Sequence, residues 1–261
     1  MAARVCVLGP SGRMGKALLD AAVGRDEVRI AAAIDRPDAP GLGNQIAAEV
    51  VATADLEAGL TACDVYIDFT SPAATRAVAE AAARHARAAV IGTTGLGPAD
   101  EAAITQLSRV APVVVAANFS LGVNLVLGLV RQAARALGPA WDAEVVEAHH
   151  RGKRDAPSGT ALMIARAIAA GHGSDYDHVK RHTRDGDVGP RPRGEIGVSA
   201  VRGGDVIGEH TAYFFGAAER LEISHRATSR SIFAVGALRA AAWVFGQPPG
   251  RYDMLDVLGL Q

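Results

Sequence analysis

Lysine is almost missing from this chain: three residues, Lys16, Lys153 and Lys180, in a length of 261. Cysteine is scarcer still, with Cys6 and Cys63 alone and no CxxC spacing. That excludes a disulfide scaffold and a cysteine-rich zinc site, and it suits a reducing cytoplasm. Aromatic residues make up only 5%, and the net charge is −1, so neither a stacking platform nor a basic field for nucleic acid is expected. No apolar run is long enough to span a bilayer, and no apolar segment precedes the first strand-like run, so neither a membrane span nor a signal peptide is expected. Hydrophobic residues at 49% leave ample material for one large core or two small ones.

What is present alternates. Arg4–Leu8 predicts a strand, 12–22 a helix, Val28–Ile34 a second strand ending at Asp35, and 64–69 a third. A helix over 72–85, a strand over 88–91, a helix over 98–110 and a strand over 112–116 continue the alternation, which is the pattern of parallel βαβ units. After Asn118 the texture changes. Helices are predicted over 124–137 and 159–170, a strand over 142–148, and a long polar loop over 172–194. Three strand-like runs follow at 196–201, 209–214 and 221–225, read as antiparallel neighbours, before a last helix over 231–245.

Three groups of residues carry chemistry. The first is Gly9-Pro10-Ser11-Gly12-Arg13-Met14-Gly15, a GxxGxxG turn between the first strand and the first helix. Glycine lets backbone approach a pyrophosphate, which then meets a helix N-terminus. Asp35 lies twenty residues beyond Gly15, where an acid accepts from ribose hydroxyls. A tight turn with no nucleotide would also use glycines. Arg36 follows and could hold a 2′-phosphate, or could be an exposed arginine without a ligand. The second group is Gly92-Thr93-Thr94 and Ala116-Ala117-Asn118-Phe119, which end strands and suit a nicotinamide half, though the same residue types make ordinary turns.

The third group is Glu147-Ala148-His149-His150-Arg151-Gly152-Lys153-Arg154-Asp155-Ala156-Pro157-Ser158-Gly159-Thr160-Ala161. Two imidazoles and three cations run straight into a helix start. A metal site fits poorly, because adjacent histidines point apart in an extended chain. An exposed basic loop is the serious competitor. Ser158, Gly159 and Thr160 at a helix N-terminus could grip a carboxylate beside an acid.

This run closely resembles the signature of the 4-hydroxy-tetrahydrodipicolinate reductases. So do G-P-S-G-R-M-G, I-D-F-T-S-P, G-T-T-G, A-N-F-S-L-G-V-N, G-E-I-G, G-E-H-T and the S-H-R-A-T-S-R-S-I-F-A run, so that the resemblance spans nearly the whole chain. It implies an α/β fold: a Rossmann-type parallel-sheet domain over 1–120 and 230–261, and a smaller α+β domain over 121–229 for substrate and tetramer formation. It implies NADH or NADPH as cofactor and a small cyclic dicarboxylate as substrate, in a cytoplasmic homotetramer. It implies His149 as catalytic acid, Lys153 as second proton donor, and His150, Ser158, Gly159 and Thr160 as substrate positions. Gly9, Pro10, Ser11, Gly12, Arg13, Met14, Asp35, Arg36, Gly92, Thr93, Thr94, Ala116, Ala117, Asn118 and Phe119 become cofactor positions, with Asp35 where glutamate also occurs in the family. Closure near residues 120 and 230 is expected to bring cofactor and substrate together. Two other classes remain: an NAD(P)-sensing module, which would need no acid, and another amino-acid dehydrogenase. A semialdehyde dehydrogenase would need a nucleophilic cysteine.

Overall fold

The computed structural model describes residues 1–260. They form two compact units, Met1–Leu121 with Ser231–Gly259, and Gly122–Arg230.

The first unit opens with β1 (Ala3–Leu8), α1 (Arg13–Ala22), β2 (Val28–Ile34), β3 (Gln45–Ala47), β4 (Val50–Thr53) and α2 (Leu56–Ala62). It continues with β5 (Val65–Asp68), α3 (Pro72–Arg84), β6 (Ala88–Ile91), α4 (Pro98–Ser108) and β7 (Pro112–Val115). The chain then builds the second unit from α5 (Leu121–Leu137), β8 (Asp142–His149), α6 (Gly159–His172), α7 (Tyr176–Val179), β9 (Lys180–Arg181), β10 (Ile196–Arg202), β11 (Gly208–Phe215) and β12 (Arg220–Ala227). It returns to the first with α8 (Ser231–Val244), β13 (Gly250–Tyr252) and α9 (Met254–Leu258).

The first sheet runs β13-β7-β6-β5-β1-β2-β4-β3, parallel throughout except for β3 against β4. Every residue of β5 and β6 is buried, as strands covered on both faces must be, and their apolar runs follow from that. One face packs on α1, α8 and α9 through Leu18, Leu238 and Val257, the other on α2, α3 and α4 through Leu60, Val78 and Ile104. Strand order reverses beside β1, so the loops after β1 and β5 open at the sheet's switch point. The predicted Rossmann-type fold is what forms. The β3–β4 pair and α2 have no counterpart in the sequence reading.

The second sheet runs β12-β11-β8-β10-β9. In β8 the alternation puts Ala143, Val145, Glu147 and His149 on the covered face, and Val145 packs there with Val130 of α5 and Ile164 of α6. One expectation fails. The last three strands are not consecutive neighbours: β10 lies parallel to β8, and β8 separates it from β11. The segment after β10 crosses the end of β8 instead of turning back. Gly203 N–H donates to His149 O at 3.0 Å, Arg151 N–H to Gly204 O at 3.2 Å, and His150 N–H to Val206 O at 2.7 Å. These bonds satisfy the end of β8 and carry the chain to its far side. Of these three strands, β11 and β12 alone pair antiparallel as consecutive neighbours. The expected loop over 172–194 also holds α7 and β9 at its start.

Candidate active site

In the first unit the glycine turn is a backbone construction. Gly9 has φ +64°, and Gly12 N–H donates to Gly9 O at 3.0 Å. A Cβ on Gly15 would sit 2.1 Å from Gly9 O, so only glycine lets α1 start this close to β1. Gly12 caps α1 with no side-chain bond, which leaves the positive end of the helix to an anion. Asp35 accepts from Ser11 N–H at 3.1 Å and from Arg36 N–H at 2.9 Å, tying the end of β2 to the glycine turn. The Arg36 guanidinium lies 3.1 Å from Asp38. The open helix N-terminus and the close backbone approach at Gly15 fit the phosphates of a dinucleotide.

The neighbouring loops are pinned by one residue. Asp68, at the end of β5, has no exposure and accepts from Thr70 N–H at 2.8 Å, Thr70 Oγ1 at 2.6 Å, Thr75 Oγ1 at 2.7 Å and Thr93 Oγ1 at 3.3 Å. Thr93 is buried by this, Gly92 packs against the Phe69 ring, and Thr94 stays at the surface. Asn118 Oδ1 accepts from Ser120 N–H at 2.8 Å, closing the turn that follows Ala116 and Ala117. Phe119 goes inward. Its ring is buried 5.3 Å from that of Phe69, edge to face, so only its backbone remains for a ligand.

In the second unit, the segment after β8 folds around a buried carboxylate. Glu147 is unexposed, and its Oε2 lies 2.6 Å from His149 Nδ1. Arg202 donates to both Glu147 oxygens at 2.8 Å and to Asp155 O at 2.6 Å, and Ser158 N–H donates to Glu147 Oε1 at 3.0 Å. Burial works to raise the Glu147 carboxyl. The bonds from Arg202, His149 and Ser158 outweigh it and hold the group ionised below the ordinary carboxylate range. Ser158 is the N-cap of α6, accepting from Ala161 N–H at 3.2 Å, and its Oγ also lies 3.1 Å from His210 Nε2. That hydroxyl is engaged in the fold, at the N-terminus of the helix that Gly159 and Thr160 begin. Burial first, and the neighbouring His149 second, push His210 down to about 4, so it stays neutral beside His149.

Around this centre stand the cations. Lys153 Nζ lies 2.9 Å from Asp155, and its ammonium lowers the Asp155 carboxyl. His150 Nε2 lies 3.4 Å from Arg230. The structure therefore gathers His149, His150, Lys153, Ser158, Gly159 and Thr160 in one unit. It adds Glu147, Arg202, His210 and Arg230, to which the sequence reading gave no role. The predicted cofactor positions all lie in the other unit. Among the described residues no cluster could hold a metal ion.

The chain matches two family models, "Dihydrodipicolinate reductase, N-terminus" over residues 3–119 and "Dihydrodipicolinate reductase, C-terminus" over 122–258. A 4-hydroxy-tetrahydrodipicolinate reductase of Alkalilimnicola ehrlichii is 48% identical, with all of both chains covered. One from Pseudoalteromonas translucida is 47% identical, over 99% of this chain and 98% of that one. The solved dipicolinate-bound dihydrodipicolinate reductase from Paenisporosarcina sp. TG-14 superposes with a TM-score of 0.83 at 26% identity, covering 98% of this chain and 99% of that one.

Proposed function

This chain belongs to the dihydrodipicolinate reductase family, and on that premise we propose that its two units divide one reaction, the first holding the nucleotide and the second the cyclic dicarboxylate. The reaction is the NAD(P)H-dependent reduction of 4-hydroxy-tetrahydrodipicolinate to tetrahydrodipicolinate, in the diaminopimelate route to lysine. The observation that carries the division of roles is the placing of an imidazole and a helix start around one buried carboxylate, Glu147, with the Lys153 ammonium on Asp155 in the loop between them.

Gly9–Met14 and Asp35 hold the pyrophosphate and ribose, and Gly92, Thr93, Thr94 and Ala116–Phe119 line the nicotinamide half. When bound, NADH or NADPH supplies hydride to C4 of the conjugated imine left after the substrate loses water. The electron pair that the ring gains calls for a proton, and His149 delivers it from Nε2. Lys153 Nζ turns from Asp155 to the substrate, neutralises developing negative charge and stands as second donor. The Gly159 and Thr160 end of α6 holds one carboxylate, and His150 with Arg230 the other, so two fixed points orient the ring.

The assembly is proposed to be a homotetramer in the cytoplasm. Support for the first comes from the sheet face opposite α5 and α6, where Val201 is 53% and Phe215 38% exposed. Support for the second comes from the unpaired thiols of Cys6 and Cys63. No described helix is long and apolar enough to cross a membrane.

Freshly made 4-hydroxy-tetrahydrodipicolinate should cause nicotinamide absorbance to fall in an enzyme-dependent way. Pyridine-2,6-dicarboxylate should compete with it, and a monocarboxylate analogue should compete less well. A rate equal to the enzyme-free control, or equal inhibition by both analogues, would count against this reading.

A further inference from the structure

Glu147 lies on the covered face of β8 in line with Ala143 and Val145, where an apolar residue would continue the core. A buried ion pair seldom stabilises more than an apolar replacement would, because desolvating both charges offsets their attraction. Stability alone therefore gives a poor account of a carboxylate at this position. Its bonds give a better one. Each oxygen has two donors: Arg202 and Ser158 N–H on Oε1, Arg202 and His149 on Oε2. An ionised carboxylate only accepts, so the Nδ1 that meets it at 2.6 Å must carry the hydrogen. In a neutral ring that leaves Nε2 as the nitrogen that takes up and gives out protons. Room for Nε2 comes from Gly208, where a Cβ would stand only 3.0 Å away.

We propose that Glu147, clamped by Arg202, is the positioning residue of this site: it fixes the His149 tautomer, presents Nε2 to the substrate and holds the first turn of α6 at a set distance from that nitrogen. One carboxylate thereby aligns the proton source with the anion-binding helix end. Arg202 extends the alignment into the intervening loop through Asp155 O. The proposal rests on the reading of His149 as the acid.

Glu147→Gln isolates the effect. The amide oxygen can still accept from Ser158 N–H, but the amide nitrogen can only donate toward Nδ1, which reverses the tautomer. A kcat lower by ~10²-fold or more is expected, as for other acid-to-amide changes behind a catalytic imidazole, with KM and NADH affinity near wild type. His149→Gln run in parallel separates the claims. Wild-type kcat in H149Q would overturn the assignment of the acid and this proposal with it. A loss in H149Q without a loss in E147Q would overturn this proposal alone. Neutron diffraction from deuterated wild-type crystals at alkaline pD decides the case even if E147Q does not fold. Deuterium on Nδ1 of His149 with Nε2 bare is the expected result, and deuterium on Nε2 alone would overturn the proposal.

Discussion

Asp68 in the first unit and Glu147 in the second are both carboxylates with no exposure, and both accept four hydrogen bonds. Their donors differ. Asp68 is met by one backbone N–H and three threonine hydroxyls, all neutral. Glu147 is met by a guanidinium, an imidazole and a backbone N–H. Neutral hydroxyl and amide donors shape backbone loops, whereas the donors on Glu147 include a guanidinium and an imidazole ring. On the proposed division of roles, the nucleotide half is a surface of main chain held in shape, and the substrate half a set of side chains around a buried carboxylate. Damage to the first should appear in affinity, and damage to the second in turnover.

The sharpest test of that contrast is His149→Gln, which should lower kcat by ~10²–10⁴-fold while leaving KM nearly unchanged. Steady-state rates with saturating cofactor measure it, and a mutant that lost binding instead would break the comparison. Asp68→Ala should do the opposite. Stranding three hydroxyls and an N–H should cost about 3 kcal/mol of stability and most of the NADH-induced rise in Tm. KM for the dicarboxylate at saturating NADH should hold, and a matching rise in that KM would erase the distinction between the two carboxylates.

A pH experiment sharpens the second half. Burial lowers His210 to about 4 from the ordinary 6.5, so in that window the unfolded chain binds a proton that the native protein does not. Its contribution to stability is whole above pH 6.5 and drains away as pH falls toward 4. Unfolding by denaturant across this range should show stability falling with pH. His210→Gln should flatten the slope by up to roughly 3 kcal/mol over the window. Cofactor choice gives the smallest effect. Asp35→Ala should weaken NADH more than NADPH, and Arg36→Ala the reverse, by on the order of 1–3 kcal/mol in titrations. Equal weakening of both cofactors by both changes would move discrimination elsewhere.

Much of this is legible in the sequence. Strand–helix alternation and the spacing of Gly9, Gly12 and Gly15 announce the parallel sheet and its ligand-binding end, because period and turn chemistry are local. Pairing order is not local: the sequence suggests β10 beside β11, whereas bonds at the tip of β8 carry the chain across it. Residues 45–62 hold two short strands and a seven-residue helix, too brief for a periodic signal. In the site, a helix start beside two histidines and a lysine can be read along the chain. What organises them cannot, since Arg202 is 55 residues from Glu147. Asp68 is likewise visible in I-D-F-T-S-P, but nothing in the string says that it faces inward toward Thr75 and Thr93.

The order in which the chain visits its two units bears on how it is made. Helix α8, residues 231–244, supplies Ala234, Ala237, Leu238, Ala240, Ala241 and Val244 to the same apolar cluster as Val5, Val7 and Val65. While the ribosome is still translating the second unit, one face of the nucleotide-binding sheet has α1 to cover it but neither α8 nor α9. The inserted unit has its own core and can close first. The first part synthesised is therefore among the last to be completed. A chain cut anywhere between α5 and α8 would retain every residue assigned to nucleotide binding and still lack the packing that holds their sheet together.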